Sequence, residues 1–479
     1  MGTEAPAIVW FRQDLRLTDN PALAAAHATG RPVVPLYVLD ETPGLRAMGA
    51  ASRWWLDKSL AALAEDLKRL GSRLVLRRGE AQTVLRRLAR ETGAEAVFWN
   101  RVYDGAGVAR DTAVKAALRD DGLACESFNA GLLNEPWQVK TGAGGPFKVF
   151  TPYWRAARAM IDQPEPSPRP RRLATPDDWP PTRRLASWRL HPRKPDWSGG
   201  FGDWTPGEAG ARRRLDAFLD GPARDYAEGR DFPARAAISR LSAHLHFGEI
   251  GPRQVWVAVQ AAVARDALSE DQAEAFLREL GWREFNHHLL FHNPRIETEN
   301  FAGGFDGFPW RQDAEALEAW RRGQTGYPIV DAGLRELWTT GWMHNRVRMI
   351  VASFLVKHLL IDWREGEAWF WDTLVDADLA NNVCNWQWVA GSGADAAPFF
   401  RIFNPILQGE RFDADGAYVR RWVPELAKLP AKLIHQPWTA DPALLRAAGV
   451  ALGQTYPKPI VGHARARERA LQAYQALAE

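Results

Sequence analysis

Between Gly341 and Asp413 the chain places together residue types that an ordinary core keeps apart. Arg346 and Arg348 fall in a helical pattern whose other face is Met349, Ile350, Ala352, Phe354 and Leu355. Asp376 and Asp378 lead into Asn381 and Asn382, with Trp363, Trp386 and Trp388 around them. A buried charge is costly unless paired. Cations, acids and amides beside aromatic walls therefore read as a polar cavity for a large, flat, polar ligand.

Two further stretches carry chemical residue types. In DYAEGRDFPARAAISRLSAHLHFG, Ser239, Arg240, Leu241 and Ser242 follow a loop and open a helix. Free N–H groups and hydroxyls there form either a phosphate cradle or a plain N-cap. In LRELGWREFNHHLLFH, Glu279, Trp282 and Arg283 lie one helical turn apart and share a face. An acid, an aromatic plate and a cation suit a stacked, hydrogen-bonded base beside a phosphate, and they equally suit a salt-bridged amphipathic helix. His288 and His292 form an i,i+4 pair, but no HExxH arrangement and no third ligand accompany them, so no metal is expected.

At 479 residues the chain is too long for one ordinary core, so about two or three domains are expected. Its apolar and charged fractions, 46% and 25%, are those of a soluble globular protein. No apolar run reaches the roughly 18 residues of a membrane-spanning helix. MGTEAPAIVWF has no basic region ahead of its apolar run, so a signal peptide is not expected, and the residues after Gly2 do not fit myristoylation. Two cysteines, Cys125 and Cys384, rule out a disulfide framework or a four-cysteine metal site and fit a reducing cytoplasm. A net charge of +3 is too small to imply nucleic acid by itself. More telling are 23 tryptophans against 8 tyrosines. Core filling accounts for many of them, but WFW and WQW sit beside charged and amide residues. Tryptophan is readily oxidised and can relay electrons.

The elements that must position these residues follow from periodicity. Runs 6–11, 32–39, 73–78 and 96–100 read as buried strands, with helical patterns over 18–28, 53–70 and 81–92 between them. Alternation of this kind implies an α/β domain with a parallel sheet, placed at 1–133. It has neither a GxGxxG fingerprint nor a P-loop, which argues against a nicotinamide-dependent oxidoreductase. Residues 134–206 read as a long linker, since proline and glycine break all periodicity from Gln163 onward (PEPSPRPRR, WPPTRR, WSGGFGDW). From 207 to 479 the pattern is all-α, including helices at 271–291, 343–360, 365–374 and 461–477, and no disordered C-terminal tail is expected.

The segments GWMHNRVRM, IDWREGEAWFW, DADLANNVCNWQW and FFRIFNPILQGERFD, with VWFRQDLRLTDNPAL near the start, closely resemble the photolyase/cryptochrome family. Within it they are most similar to bacterial photolyases that repair cyclobutane pyrimidine dimers, in the alphaproteobacterial group related to plant cryptochromes. The resemblance covers nearly the whole chain. It implies a five-stranded sheet in the α/β domain, an all-α FAD-binding domain, and a carbon–carbon lyase driven by electron transfer from photoexcited reduced FAD. FAD would be held by Tyr226, Ser239, Arg240, Leu241, Ser242, Trp342, Asn345, Arg348, Asp376, Ala377, Asp378 and Asn382, with Asn382 facing flavin N5 and Arg348 pairing with the acids. At Ile238 the family often has Thr. Trp386, Trp363 and Trp310 match the proximal, middle and surface members of an electron-carrying chain; Trp320 and Trp338 are set aside.

The same resemblance implies a UV-damaged DNA partner with its pyrimidine dimer flipped into the cavity. Trp282 and Trp388 would stack on the dimer, Glu279 and Asn345 would hydrogen-bond it, and Met349 would pack beneath it. Arg230, Arg283, Arg346, Arg401 and Gln408 would contact the strand. Residues Trp342–Met349 read WMHNRVRM, where photolyases for (6-4) photoproducts read WIHHLARH. Asn345 and Met349 thus replace the proton-transferring histidines, which points to cyclobutane dimers. The α/β domain would hold an antenna, 5,10-methenyltetrahydrofolate, with 8-hydroxy-5-deazaflavin as the alternative. The segment that carries Asn-Glu in some folate-binding relatives has Ala106 and Gly107 here. A monomer without an obligatory protein partner or membrane is expected. The rival is a cryptochrome-type photoreceptor that repairs nothing; an Asp at position 382, as in plant cryptochromes, would favour it.

Overall fold

The computed structural model describes residues 4–161 and 165–477. The expectations for the first three residues, and for the connecting segment at 162–164, lie outside them. By contact the chain divides into two compact units. The first comprises Met1–Pro192, Asp203–Arg224 and Ser239–Pro294; the second comprises Arg193–Gly202, Asp225–Ile238 and Arg295–Glu479. This division cuts across the boundaries read at 133 and 206. Most of the proline-rich segment, and the helix with Glu279 and Trp282, pack in the first unit.

The first unit is built on five parallel strands: β1 (Ala7–Phe11), β2 (Val33–Asp40), β3 (Val75–Gly79), β4 (Ala96–Asn100) and β5 (Ala124–Phe128), in the order β3-β2-β1-β4-β5. Helices α1 (Pro21–Ala28), α2 (Ala50–Arg69), α3 (Ala81–Thr92) and α4 (Gly105–Asp120) supply the crossovers. β1 and β4 are buried throughout, as their unbroken apolar runs require. β5 reads ACESF and alternates at the sheet edge, which is why it has no apolar run in the sequence. Local signals set the helix starts. Asn20 accepts from the Leu23 amide at 3.1 Å with Pro21 opening α1, and Asp104 accepts from the Gly107 amide at 2.6 Å to open α4. A Cβ on Gly107 would stand 2.5 Å from Asp104 Oδ2, so this cap itself demands glycine there. Helices α5 (Phe150–Ala159) and α6 (Glu270–His292) pack on each other in the same unit.

In the second unit the elements that matter are α7 (Asn345–Ser353), α8 (Trp363–Thr373), α9 (Leu379–Ala390) and the terminal α10 (His463–Gln475). The single helix expected over 343–360 is shorter. His344 caps it by accepting from the Arg346 amide at 3.2 Å. At Phe354 the winding loosens into a π-helical turn that ends at Leu360, with φ +53°. Asp362 and Asp378 cap α8 and α9, accepting from the amides of Arg364 at 3.0 Å and Asn381 at 2.9 Å. No described helix is long and apolar enough to cross a membrane.

Candidate active site

The caps of α7 and α9 bring the sequence's unusual residues into register. Arg348, on α7, makes a two-pronged pair with Asp376, at 2.9 and 3.2 Å, while its Nε donates to the Met343 carbonyl at 2.7 Å. The Asp376 side chain is almost fully buried and the Arg348 side chain partly so. Of the two acids expected to meet Arg348, Asp376 does so, and Asp378 turns to the start of α9, where it also accepts from Asn381 Nδ2 at 2.8 Å. Trp342 is buried and lies under the Arg348 guanidinium, 5.6 Å from its ring centre. Ala377 and Tyr226 are buried too, and Arg230 lies over the Tyr226 ring.

Asn382 sits one turn into α9. Its amide nitrogen donates to two oxygens of Glu367 on α8, the backbone carbonyl at 3.0 Å and Oε1 at 2.8 Å. That leaves its carbonyl oxygen with no donor among the described residues. Glu367 has no counterpart in the sequence reading. It stands 15 positions from Asn382, and nothing local in the sequence joins the two.

Trp386 is buried under the edges of Phe370, at 5.0 Å, and Trp320, at 6.2 Å. Gly366 makes room for it, since a Cβ there would stand 2.1 Å from the indole. Trp363 is fully buried, with its N–H on Asn300 Oδ1 at 3.0 Å. Trp310 is half-buried beside Phe308, and the next residue, Arg311, donates its amide to the Leu360 carbonyl at 2.7 Å, just ahead of Trp363. Trp386 and Trp363 are thus buried, and only Trp310 of the three reaches solvent. Of the two tryptophans set aside, Trp320 touches Trp386, and Trp338 stacks between Trp369 (5.7 Å, 4°) and Trp197 (4.8 Å, 17°).

Also on α7, Asn345 is exposed and its side chain has no partner among the described residues. Arg346 pairs with Asp231 at 2.7 Å and lies over Phe412, and Met349 is half-buried beside it. Arg401 is exposed, Trp388 and Gln408 half-buried.

In the first unit, Glu279, Trp282 and Arg283 do lie on one helix, α6, but they are employed differently. Trp282 stacks in parallel on Phe150, 3.7 Å between ring centres at 8°, so α5 supplies a rigid backing to one face of the indole. Arg283 donates to the Gly131 carbonyl at 2.7 Å and stands 3.5 Å from buried Glu284, a structural role in addition to any with a ligand. Ser239 opens a tight turn: Arg240 has φ +52° with its guanidinium over Trp204, and the Ser239 hydroxyl accepts from the Leu241 amide. The helix that Ser242 begins has only five residues. His288 bridges the Phe147 amide and the Pro136 carbonyl, burial holds its pKa down to about 4, and His292 also reaches Pro136.

In an open α/β sheet the default ligand crevice lies at the strand carboxyl ends where the order reverses, here between β1 and β4. Arg12 and Arg110 lie over the Trp10 ring, 4.5 and 5.0 Å from its centre, and pair with Asp111 and Asp40 at 2.7 and 2.9 Å. The same unit has an open cleft of about 470 Å³ lined by Thr151, Trp154, Arg155, Arg158, Ala159 and Arg278.

Comparison with known proteins agrees with this geometry. The family model of the FAD binding domain of DNA photolyase matches residues 276–476, and that of DNA photolyase matches residues 7–171. The chain is 57% identical over 474 residues to the deoxyribodipyrimidine photo-lyase of Agrobacterium fabrum, covering 99% of this chain and 98% of the relative. It is 41% identical to cryptochrome-1 of Arabidopsis thaliana, covering 98% of this chain and 70% of that protein. A bacterial class III photolyase from Agrobacterium tumefaciens superposes with a TM-score of 0.96 at 56% identity, covering 99% of this chain and 98% of that one. With two family models matched and a relative 57% identical along nearly its whole length, the chain belongs to the photolyase/cryptochrome family.

Proposed function

We propose that this chain is a deoxyribodipyrimidine photo-lyase that repairs cyclobutane pyrimidine dimers in UV-damaged DNA. The observation that carries this reading is the orientation of Asn382. With Nδ2 held by Glu367, the amide offers an unengaged carbonyl oxygen, which suits the N5–H of a reduced flavin. The Arg348–Asp376 pair fits the same ligand, a cation held beside a site for an anionic ring. The reading gives Tyr226, Trp342, Ala377 and Asp378 to the same cofactor and enlists Ser239, Arg240, Leu241 and Ser242 for its phosphates.

When bound, reduced FAD supplies on illumination the electron that opens the cyclobutane ring and takes it back afterwards, with no net redox change. The residues bind and orient. Asn345 offers its amide N–H to a dimer carbonyl without transferring a proton, and the Glu279 carboxylate accepts from a base N–H. Met349 gives an apolar floor, and Trp388 and Phe150-backed Trp282 stack the flipped bases. Arg230, Arg283, Arg346, Arg401 and Gln408 position the strand through phosphates, which makes binding weaken with salt. Trp386, Trp363 and Trp310 refill the cofactor from the surface. The chain works as a monomer, and its two buried free cysteines suit the cytoplasm.

For the antenna we favour 5,10-methenyltetrahydrofolate over a deazaflavin, in the cleft of α5 and α6. Trp154 gives a buried aromatic floor, and Arg155, Arg158 and Arg278 suit the glutamate carboxylates of a folate. Chromophores extracted from denatured protein and identified by mass decide this part. The main test gives the reduced protein defined oligonucleotides under blue light. Reversal of the cyclobutane dimer with negligible reversal of the (6-4) photoproduct is expected. No reversal of the dimer, or efficient reversal of the (6-4) lesion, would overturn the assignment.

A further inference from the structure

The second unit buries one lysine that no step above uses. Lys357, on the π-helical turn Phe354–Leu359, is 1% exposed. Its amine donates to the carbonyl of Ala390, the last residue of α9, at 2.9 Å. It also lies 3.3 Å from the ring centre of Phe399. Burial lowers its pKa well below the lysine range, and no carboxylate offsets that. A buried amine without an acid partner is a poor way to gain stability, because the desolvation cost is large.

Its contacts define what it does hold. Gly391, which ends α9 with φ +93°, begins a segment that runs to Asn404. This segment is tied back to α9 by the Ala397 amide on the Trp388 carbonyl, at 3.2 Å. Phe399 is buried and stacks with Tyr474 of α10, 4.5 Å between centres at 7°. The next two residues face the opposite way: Phe400 is 66% exposed and Arg401 is exposed. Lysine, phenylalanine and tyrosine thus form a layered anchor under the one turn that presents Phe400 and Arg401 outward.

We propose that Lys357 is a positioning residue for DNA: it clamps residues 391–404 so that Arg401 and Phe400 stand in their binding arrangement beside Trp388. The proposal rests on the repair reading for the identity of the ligand, but the clamp itself is defined without it. Lys357→Met keeps an unbranched side chain one atom shorter and removes the donor and the charge. Since the lost group is a buried amine, the melting temperature should hold or rise while the segment loosens.

The experiment takes the full-length, flavin-loaded protein. Hydrogen exchange without DNA should show faster exchange confined to 391–404 in Lys357→Met. The Kd for a dimer-containing oligonucleotide should rise about tenfold, with the turnover of bound dimer and the photoreduction of flavin unchanged. Adding Arg401→Ala should cost less in the Lys357→Met background than in the parent, because the clamp acts through Arg401. Lys357→Arg, which keeps a donor, should restore part of the affinity. Unchanged exchange in 391–404, or an affinity loss matched by loss of flavin and a lower melting temperature, would overturn the clamp. Failure of the parent protein to bind the oligonucleotide would instead overturn the repair reading, and it is seen before any variant is made.

Discussion

Removing the guanidinium of Arg348 is the sharpest test of the cofactor site. Its two bonds to Asp376 join a side chain that is 23% exposed to one that is 2% exposed. Breaking a fully buried pair from one side costs about 3–5 kcal/mol, because the remaining charge is stranded. Partial exposure of the arginine lets water reach that end, so about 2–3 kcal/mol is the reasoned figure. If the pair serves mainly to present Asp376 to the flavin, Arg348→Met loses that amount in FAD binding, a rise of about 30- to 140-fold in Kd. Apo-protein titrated with FAD, followed by quenching of flavin fluorescence, measures it. The double variant Arg348→Met with Asp376→Leu separates the two roles. With neither charge left, its melting temperature should return toward that of the parent, while FAD binding stays weak. Parental FAD affinity in Arg348→Met refutes the reasoning. So does recovery of FAD binding in the double variant, which would mean that the pair only prevents a stranded charge.

Trp386→Phe should abolish photoreduction of oxidised flavin in the presence of an external donor and leave repair by chemically reduced protein nearly intact; transient absorption and dimer reversal read the two separately. Gly366→Ala places a methyl in the Trp386 indole, 2.1 Å from its nearest atom, so a loss of at least about 1–3 kcal/mol is expected by chemical denaturation. Glu284 accepts from the Leu133 and Asn134 amides, yet burial raises its pKa to about 7 despite Arg283 beside it. Its folded pKa lies above the unfolded value, so the folded state holds the proton more tightly, and stability falls as pH rises from about 4.5 to 7, by about 3 kcal/mol, then levels off. Glu284→Gln should remove that slope from a series of melts across the range.

How much of this was legible in the sequence depended on how local the cause was. Strands β1 to β4 announced themselves as apolar runs; β5 did not, because an edge strand alternates and ACESF carries a charge. Helical periodicity placed the helix through Arg346 and Arg348, but nothing local foretold that it would loosen at Phe354. The domain boundaries at 133 and 206 followed composition, whereas the compact units follow contacts between distant segments, such as the Glu284 carboxylate on the amides of Leu133 and Asn134. The pairing of Arg348 with the acids was expected from the family resemblance, and of the two acids it is Asp376 that meets it. Glu367, Gly366 and Lys357 were not. Each belongs to a residue type that is ordinarily exposed or neutral in such a pattern, and each acquires its role only from a partner 15 to 33 positions away.

Glu367 also changes how position 382 should be understood. The resemblance gives the amide there a role toward the ligand, which by itself would set the residue's identity. In this chain the protein sets it as well, because two acceptors of Glu367 face one end of the side chain and demand a donor. An aspartate in the same rotamer would bring a carboxylate oxygen against a carbonyl and a second carboxylate. It would then have to hold a proton on that oxygen or rotate away, and either choice alters what it offers a ligand at its other end. The difference between an amide and an acid at 382 is therefore a difference in the proton count of the 367–382 pair or in the orientation of the side chain. Helix α8 thus fixes the orientation of the Asn382 amide through Glu367.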